Sequence, residues 1–183
     1  MLVQIGQFLV DVVGSFLVFC LLARFHFQWL RVPFRNPVGE FLIAVTNWIV
    51  LPARRLVPPA AGLDLATLVA AWLLQALALT LLFALAGGGA SALVFAAAAF
   101  DLVRYSLYIL VFAVIVMVVL SWVNPGSPVA YLFDAITRPF LRPIRRVVPL
   151  LGRVDLSPLV LLVLAQVALI VLAHLRTAAW GAL

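Results

Sequence analysis

Long apolar runs alternate with polar, proline-rich stretches along this chain. The apolar runs fall near Leu2–Phe27, Leu65–Leu85, Leu93–Val123 and Leu156–Leu175. Each meets the roughly 20 residues that an α-helix needs to cross the hydrocarbon core of a bilayer. Lipid offers the backbone no hydrogen-bond partners, so such runs are expected as helices, which satisfy their own N–H and C=O groups. "AGGGAS", Ala86–Ser91, reads as a tight turn that makes the second and third runs a hairpin. The third run is longer than a span requires, and tilt or projection from the bilayer takes up the excess.

Between the first and second runs, and again between the third and fourth, the pattern becomes amphipathic. Asn36-Pro37 and Ser127-Pro128 each offer a polar N-cap followed by proline at the first helical position, where the missing N–H costs nothing. Apolar residues then recur at helical spacing: Val38, Phe41, Leu42, Val45 and Ile49, then Val129, Leu132, Phe133, Ile136 and Phe140. Such a stripe fits a short helix lying in the headgroup region, and equally one packed on the protein's own spans; the two are compatible. Pro139 and Pro143 are expected to break the second of these helices, leaving the Arg145-Arg146 pair toward the lipid surface.

The two connecting stretches resemble each other. Offset by 91 residues, 36–69 lies on 127–160 without a gap, and thirteen of the 34 positions are identical. Roughly three or four would match by chance in so biased a composition. Matching pairs include Pro37/Pro128, Thr46/Thr137, Pro52/Pro143, Arg54/Arg145, Arg55/Arg146 and Asp64/Asp155, with Gln75 falling on Gln166 farther along. The chain therefore reads as two tandem repeats, residues 1–91 and 92–183, each a span, a basic connector and a span. Two spans per repeat give both repeats the same orientation, unlike the inverted repeats of many transporters. The expected fold is an all-α membrane protein with four transmembrane helices as two parallel two-span repeats, each with an amphipathic interfacial helix.

Composition supports this frame. Of 183 residues, 67% are hydrophobic and 10% charged, which excludes an ordinary soluble domain. All twelve basic residues are arginine, a bias that points to GC-rich coding and a bacterial source. Ten of them count toward the connector side: Arg24, Arg31, Arg35, Arg54 and Arg55, and Arg138, Arg142, Arg145, Arg146 and Arg153. Arg104 and Arg176 lie toward the other side. The positive-inside rule then makes both connectors cytoplasmic and both termini external. The net charge of +6 is interleaved with spans, so its counter-charge is expected to be anionic phospholipid and not nucleic acid. Cys20 is the single cysteine, which removes any disulfide framework or thiolate metal site. With no basic region ahead of it and Asp11 within it, the first run is expected to stay as a span.

The candidate residues follow from this layout. Arg54, Arg55, Arg138, Arg142, Arg145 and Arg146 form the belt for lipid or a protein partner. Asp64 and Asp155 stand just before apolar runs, as helix N-caps, as ion-pair partners of the belt arginines, or as both. Gln75 and Gln166 fall eleven residues beyond those aspartates, about 16 Å along a helix and so near mid-bilayer. They read as a pair bonding across the repeats, or as a polar site in a pathway. Asp101 has Arg104 at i+3, while Asp11 has no local charged partner. His26 and His174 lie toward opposite membrane faces, so a shared metal or haem is not expected. No Ser/His/Asp set, carboxylate cluster or phosphate loop occurs, and neither a catalytic activity nor a cofactor is expected.

Ser121-Trp122-Val123-Asn124-Pro125, the Thr137-x-Pro139…Leu141-Arg142-Pro143-x-Arg145-Arg146 run and Asp155-Leu156-Ser157-Pro158 together resemble the YggT (YlmG-like) family of small integral membrane proteins. The first repeat departs from that pattern: it lacks the Ser-Trp-Val-Asn-Pro run and has Ala66-Thr67 in place of Ser157-Pro158. The resemblance implies a bacterial inner-membrane or plastid location and no known catalytic activity. The roles it implies range over membrane-protein or cofactor assembly, cell division and nucleoid organisation, and osmotic or ion homeostasis. Two functions are therefore carried forward. One is a non-catalytic scaffold whose cytoplasmic belt engages membrane or cytoplasmic protein partners and anionic lipid. The other is an ion-permeation or osmotic-homeostasis component, which would need a homo-oligomer, since four helices rarely enclose a pore.

Overall fold

The computed structural model describes residues 1–58, 62–89, 91–148 and 155–181. They form six α-helices: α1 Leu2–Trp29, α2 Pro37–Leu56, α3 Leu65–Leu85, α4 Leu93–Val123, α5 Pro128–Arg145 and α6 Ser157–Gly181. Four of these, α1, α3, α4 and α6, are long and apolar enough to cross a membrane. Their outward faces carry large exposed apolar side chains, such as Phe8, Leu77, Val119 and Val163. Water would oppose such faces; hydrocarbon accepts them.

The chain forms two compact units, Met1–Tyr105 and Ser106–Leu183, which divide within α4. In the first unit α1, α2 and α3 pack around Val18, Leu21, Leu22, Val50, Ala66 and Ala71. A small-residue contact lets α1 and α3 approach: a Cβ on Gly14 would stand 3.1 Å from that of Ala78. The turn after α3 uses Gly87 at φ +80°, with Gly88 N–H closing on the Phe83 carbonyl at 2.8 Å. An L side chain at that φ is disfavoured, so glycine ends the helix there. In the second unit α5 lays Leu132, Phe133, Ile136 and Leu141 into a core that also holds Val114 and Met117 of α4 and Leu161 of α6.

One sequence-based expectation fails here. α5 does not break at Pro139 or Pro143 but runs through both to Arg145, as α2 runs through Pro52. Pro139 and Pro143 are four residues apart and share an exposed face. The carbonyls they leave without an N–H partner can therefore be solvated, which removes much of the usual cost of proline inside a helix.

Candidate membrane-surface belt and its anchoring carboxylates

In the first unit α2 starts at Asn36, whose side chain accepts from the Gly39 N–H at 2.9 Å, with Pro37 at the first helical position. Gly39, Leu42, Thr46 and Val50 form the buried edge. Glycine is required at 39, because a Cβ there would fall 2.5 Å from the Phe34 carbonyl oxygen. Phe41 and Trp48 are exposed on another side of the helix, and Arg54 and Arg55 occupy its last turn.

Asp64 closes this unit. It caps α3, accepting from the Thr67 N–H at 3.4 Å and from Thr67 Oγ1 at 2.6 Å. Arg54 donates to the same carboxylate through both Nε, at 3.2 Å, and Nη2. Asp64 is only 2% exposed. Burial pushes its carboxyl up, but the hydrogen bonds from Arg54 and Thr67 outweigh burial and hold it below its ordinary value.

Arg24, counted above with the connector cations, lies inside α1 and is 5% exposed. Its Nη1 donates to Thr46 Oγ1 at 2.8 Å and Asn47 Oδ1 at 2.9 Å, tying the span to α2. It is thus absent from the surface charge. The signal for it was available: a cation three residues inside an apolar run needs internal acceptors, and Thr46-Asn47 is a polar pair in an apolar stripe.

In the second unit Ser127 accepts the Ala130 N–H at 3.0 Å and Pro128 begins α5. Arg138 pairs with Asp134 one turn away. Arg145 Nε donates to Asp155 Oδ2 at 2.9 Å, and Asp155 Oδ1 accepts the Ser157 N–H at 2.9 Å. The arrangement parallels Arg54–Asp64, but Asp155 is 29% exposed and receives a single arginine bond. Burial pushes its carboxyl up; the Ser157 and Arg145 contacts prevail and hold it low. Arg142, Arg146 and Arg55 are exposed and have no ion pair among the described residues. Arg145 and Arg146 therefore differ, one held by Asp155 and the other open. Arg153 lies outside the described residues.

Beside the belt, Ile115, Val118 and Trp122 of α4, Tyr131 of α5 and Leu159 and Leu162 of α6 line a cleft of about 770 Å³, with Asp134, Arg145 and Asp155 in its wall. Trp29, Trp48, Trp122 and Tyr131 are all exposed on or beside the connectors. The signal for this aromatic set lies in the sequence, where Trp and Tyr flank apolar runs next to arginines, the pattern of an interfacial belt.

The two glutamines belong to different units. Gln75 is buried at the centre of α3 and donates to Asp101 Oδ2 at 2.8 Å, with Arg104 Nη2 3.1 Å from Oδ1. Gln75 is thus tied to a carboxylate of its hairpin neighbour. Gln166 is exposed on α6. Asp11 accepts from Ser15, whose hydroxyl also meets Tyr105 OH at 3.2 Å. No group of three or more potential metal ligands occurs among the described residues.

The chain matches the CCB3/YggT family over two segments, residues 3–85 and 96–176. It is 32% identical to the uncharacterized protein YggT of Escherichia coli, over 87% of this chain and 85% of that protein. It is 34% identical to an uncharacterized protein of Pseudomonas aeruginosa, over 83% and 80%. A third relative is an uncharacterized protein encoded in the proC 3′ region of Vibrio alginolyticus, 32% identical over 88% and 90%. No solved structure matches the chain.

Proposed function

The chain belongs to the CCB3/YggT family, and from that premise we propose that it is a non-catalytic scaffold or assembly factor of the bacterial inner membrane. In this reading two parallel repeats, 1–91 and 92–183, each place an amphipathic helix on the cytoplasmic surface, where an arginine belt engages anionic lipid and protein partners. The observation that carries the proposal is the division of α5 into two sides. Its apolar side is buried in the protein, while Arg142 and Arg146 stand exposed without an ion pair among the described residues. Arg55, Phe41 and Trp48 give α2 a comparable outer side. Exposed cations beside exposed indoles suit the headgroup layer, where each arginine gains roughly 1 kcal/mol from an anionic surface. The cleft adds an apolar slot of a size that suits an acyl chain.

The test uses the fluorescence of Trp122 and its neighbours, quenched by brominated lipid. Replacing Arg142 and Arg146 with glutamine should weaken the preference for anionic over zwitterionic lipid by about 2 kcal/mol at low salt. Added salt should shrink the difference, since exposed charges are screened over about 8–10 Å near physiological ionic strength. Lysine at both positions should restore most of it, because the lipid asks mainly for positive charge. An unchanged preference in the double-glutamine protein would remove the lipid role.

Orientation is tested by cysteine labelling in a Cys20→Ala background. Gly89→Cys should react with an impermeant thiol reagent from outside, and Val147→Cys only after permeabilisation; the reverse pattern would invert the topology. The rival reading, an oligomeric ion-permeation or osmotic-homeostasis component, draws on Gln75, Asp101 and Arg104. These groups bond one another, which favours packing over a pathway. Selective ion flux from purified protein in liposomes would replace the scaffold reading.

A further inference from the structure

Gln166 lies nine residues into α6, about 13.5 Å from the start of the span at Ser157 and close to its centre. It is exposed, and no described residue hydrogen-bonds its amide. Acyl chains have neither donors nor acceptors, and polar side chains at this depth normally face other protein. Its counterpart 91 residues earlier, Gln75, shows the covered condition: buried, at the centre of α3, and bonded to a carboxylate of an adjacent helix. The same contrast recurs nearby. Leu21 is fully buried, whereas Phe112, offset by 91, is 54% exposed; Arg24 is buried, whereas Ile115 is 47% exposed. At helical spacing, Leu159, Val163 and Ile170 share the side of α6 that carries Gln166, and all three are exposed.

We propose that this side of α6 is the interface of a homodimer, with Gln166 bonding Gln166 of a second copy. Three features select that occupant. A primary amide has a donor and an acceptor, so two can bond reciprocally about a two-fold axis, as an isologous interface requires. A second copy inserted in the same orientation presents its amide at the same depth without any further matching. Val163 and Ile170, one turn to either side, then provide apolar packing around the bond. This interface is separate from the cationic belt and does not depend on its role.

The test uses the full chain in liposomes at graded lipid dilution, with dimerisation read by energy transfer between labelled copies. Gln166→Leu should weaken the dimer about tenfold, the scale of interhelical amide bonds in membranes. Gln166→Asn, which keeps the amide, should stay within about threefold of the parent. In a Cys20→Ala background, Val163→Cys and Ile170→Cys should oxidise to dimers of the chain, with Gln166 intact. Leu164→Cys, exposed on the far side of α6, should not. A chain that is monomeric at every dilution, a dimer insensitive to Gln166→Leu, or cross-linking at Leu164 in preference to Val163 would each overturn the proposal.

Discussion

Replacing Asp64 with alanine should cost about 3 kcal/mol of stability, while the same change at Asp155 should cost only about 1 kcal/mol. The two aspartates are 91 residues apart and both receive an arginine from the preceding helix, so sequence alone assigns them equal weight. Burial separates them. Around Asp64 the cut removes a helix cap, worth about 1 kcal/mol, and strands the hydroxyl of the fully buried Thr67, a loss of about 1–3 kcal/mol, while the Thr67 N–H keeps its bond to the Asp64 backbone carbonyl. Arg54 is 39% exposed and can return to solvent, so its release adds little. Asp155 is 29% exposed, and water can replace its contacts with Arg145 and the Ser157 N–H. Asp64→Asn should lie between, since an amide oxygen can still cap α3. Reversible unfolding in mixed micelles measures all three; equal costs at 64 and 155 would contradict the argument.

The pH dependence has a definite sign. A folded carboxyl held below its unfolded value stabilises the protein fully above the unfolded value and stops doing so as pH falls through the folded one. For Asp64, depressed from 3.8, the difference between parent and Asp64→Ala should stay constant down to about pH 4 and shrink only below it. A difference that already closes between pH 7 and 5 would mean that the Asp64 carboxyl is not depressed.

The spans were legible because hydropathy in a membrane is a one-dimensional signal. Leu65–Leu85 and Leu93–Val123 have the same bounds in the sequence as in the fold, and α1 runs only two residues past Phe27. The connectors were less so, because their structure depends on which side of a helix meets protein. Proline is a helix breaker by local rule, yet Pro139 and Pro143 stay in α5 since both lie on its exposed side. Phe41 belongs to the apolar stripe of α2 by spacing but is half exposed, while Gly39, Thr46 and Val50 form the buried edge. The partner of Gln75 was within reach of the sequence. In a hairpin turned at Gly87, Gln75 lies ten residues before the end of one arm and Asp101 eight after the start of the other, at nearly the same depth. The division of labour between Arg145 and Arg146 was not, since it rests on where Asp155 comes to lie.

Arg24 gives the other large effect, and its asymmetry is the informative part. Arg24→Met should change stability by no more than about 1 kcal/mol in either direction, because it removes a buried charge together with that charge's desolvation cost. The acceptors left behind are tolerable: Thr46 Oγ1 keeps its bond to the Leu42 carbonyl at 2.5 Å, and Asn47 is only part-buried. Removing the acceptors and leaving the guanidinium in place is a different matter. Thr46→Val with Asn47→Leu should cost about 3–5 kcal/mol, the usual penalty for stranding a buried charge. In the triple variant, where Arg24→Met is added, most of that loss should be recovered, although every individual contact between α1 and α2 at this point is then gone. Thermal unfolding of the three proteins in one detergent decides it. A triple variant as unstable as the double would mean that the hydrogen bonds themselves, and not the stranded charge, hold α2 against the first span.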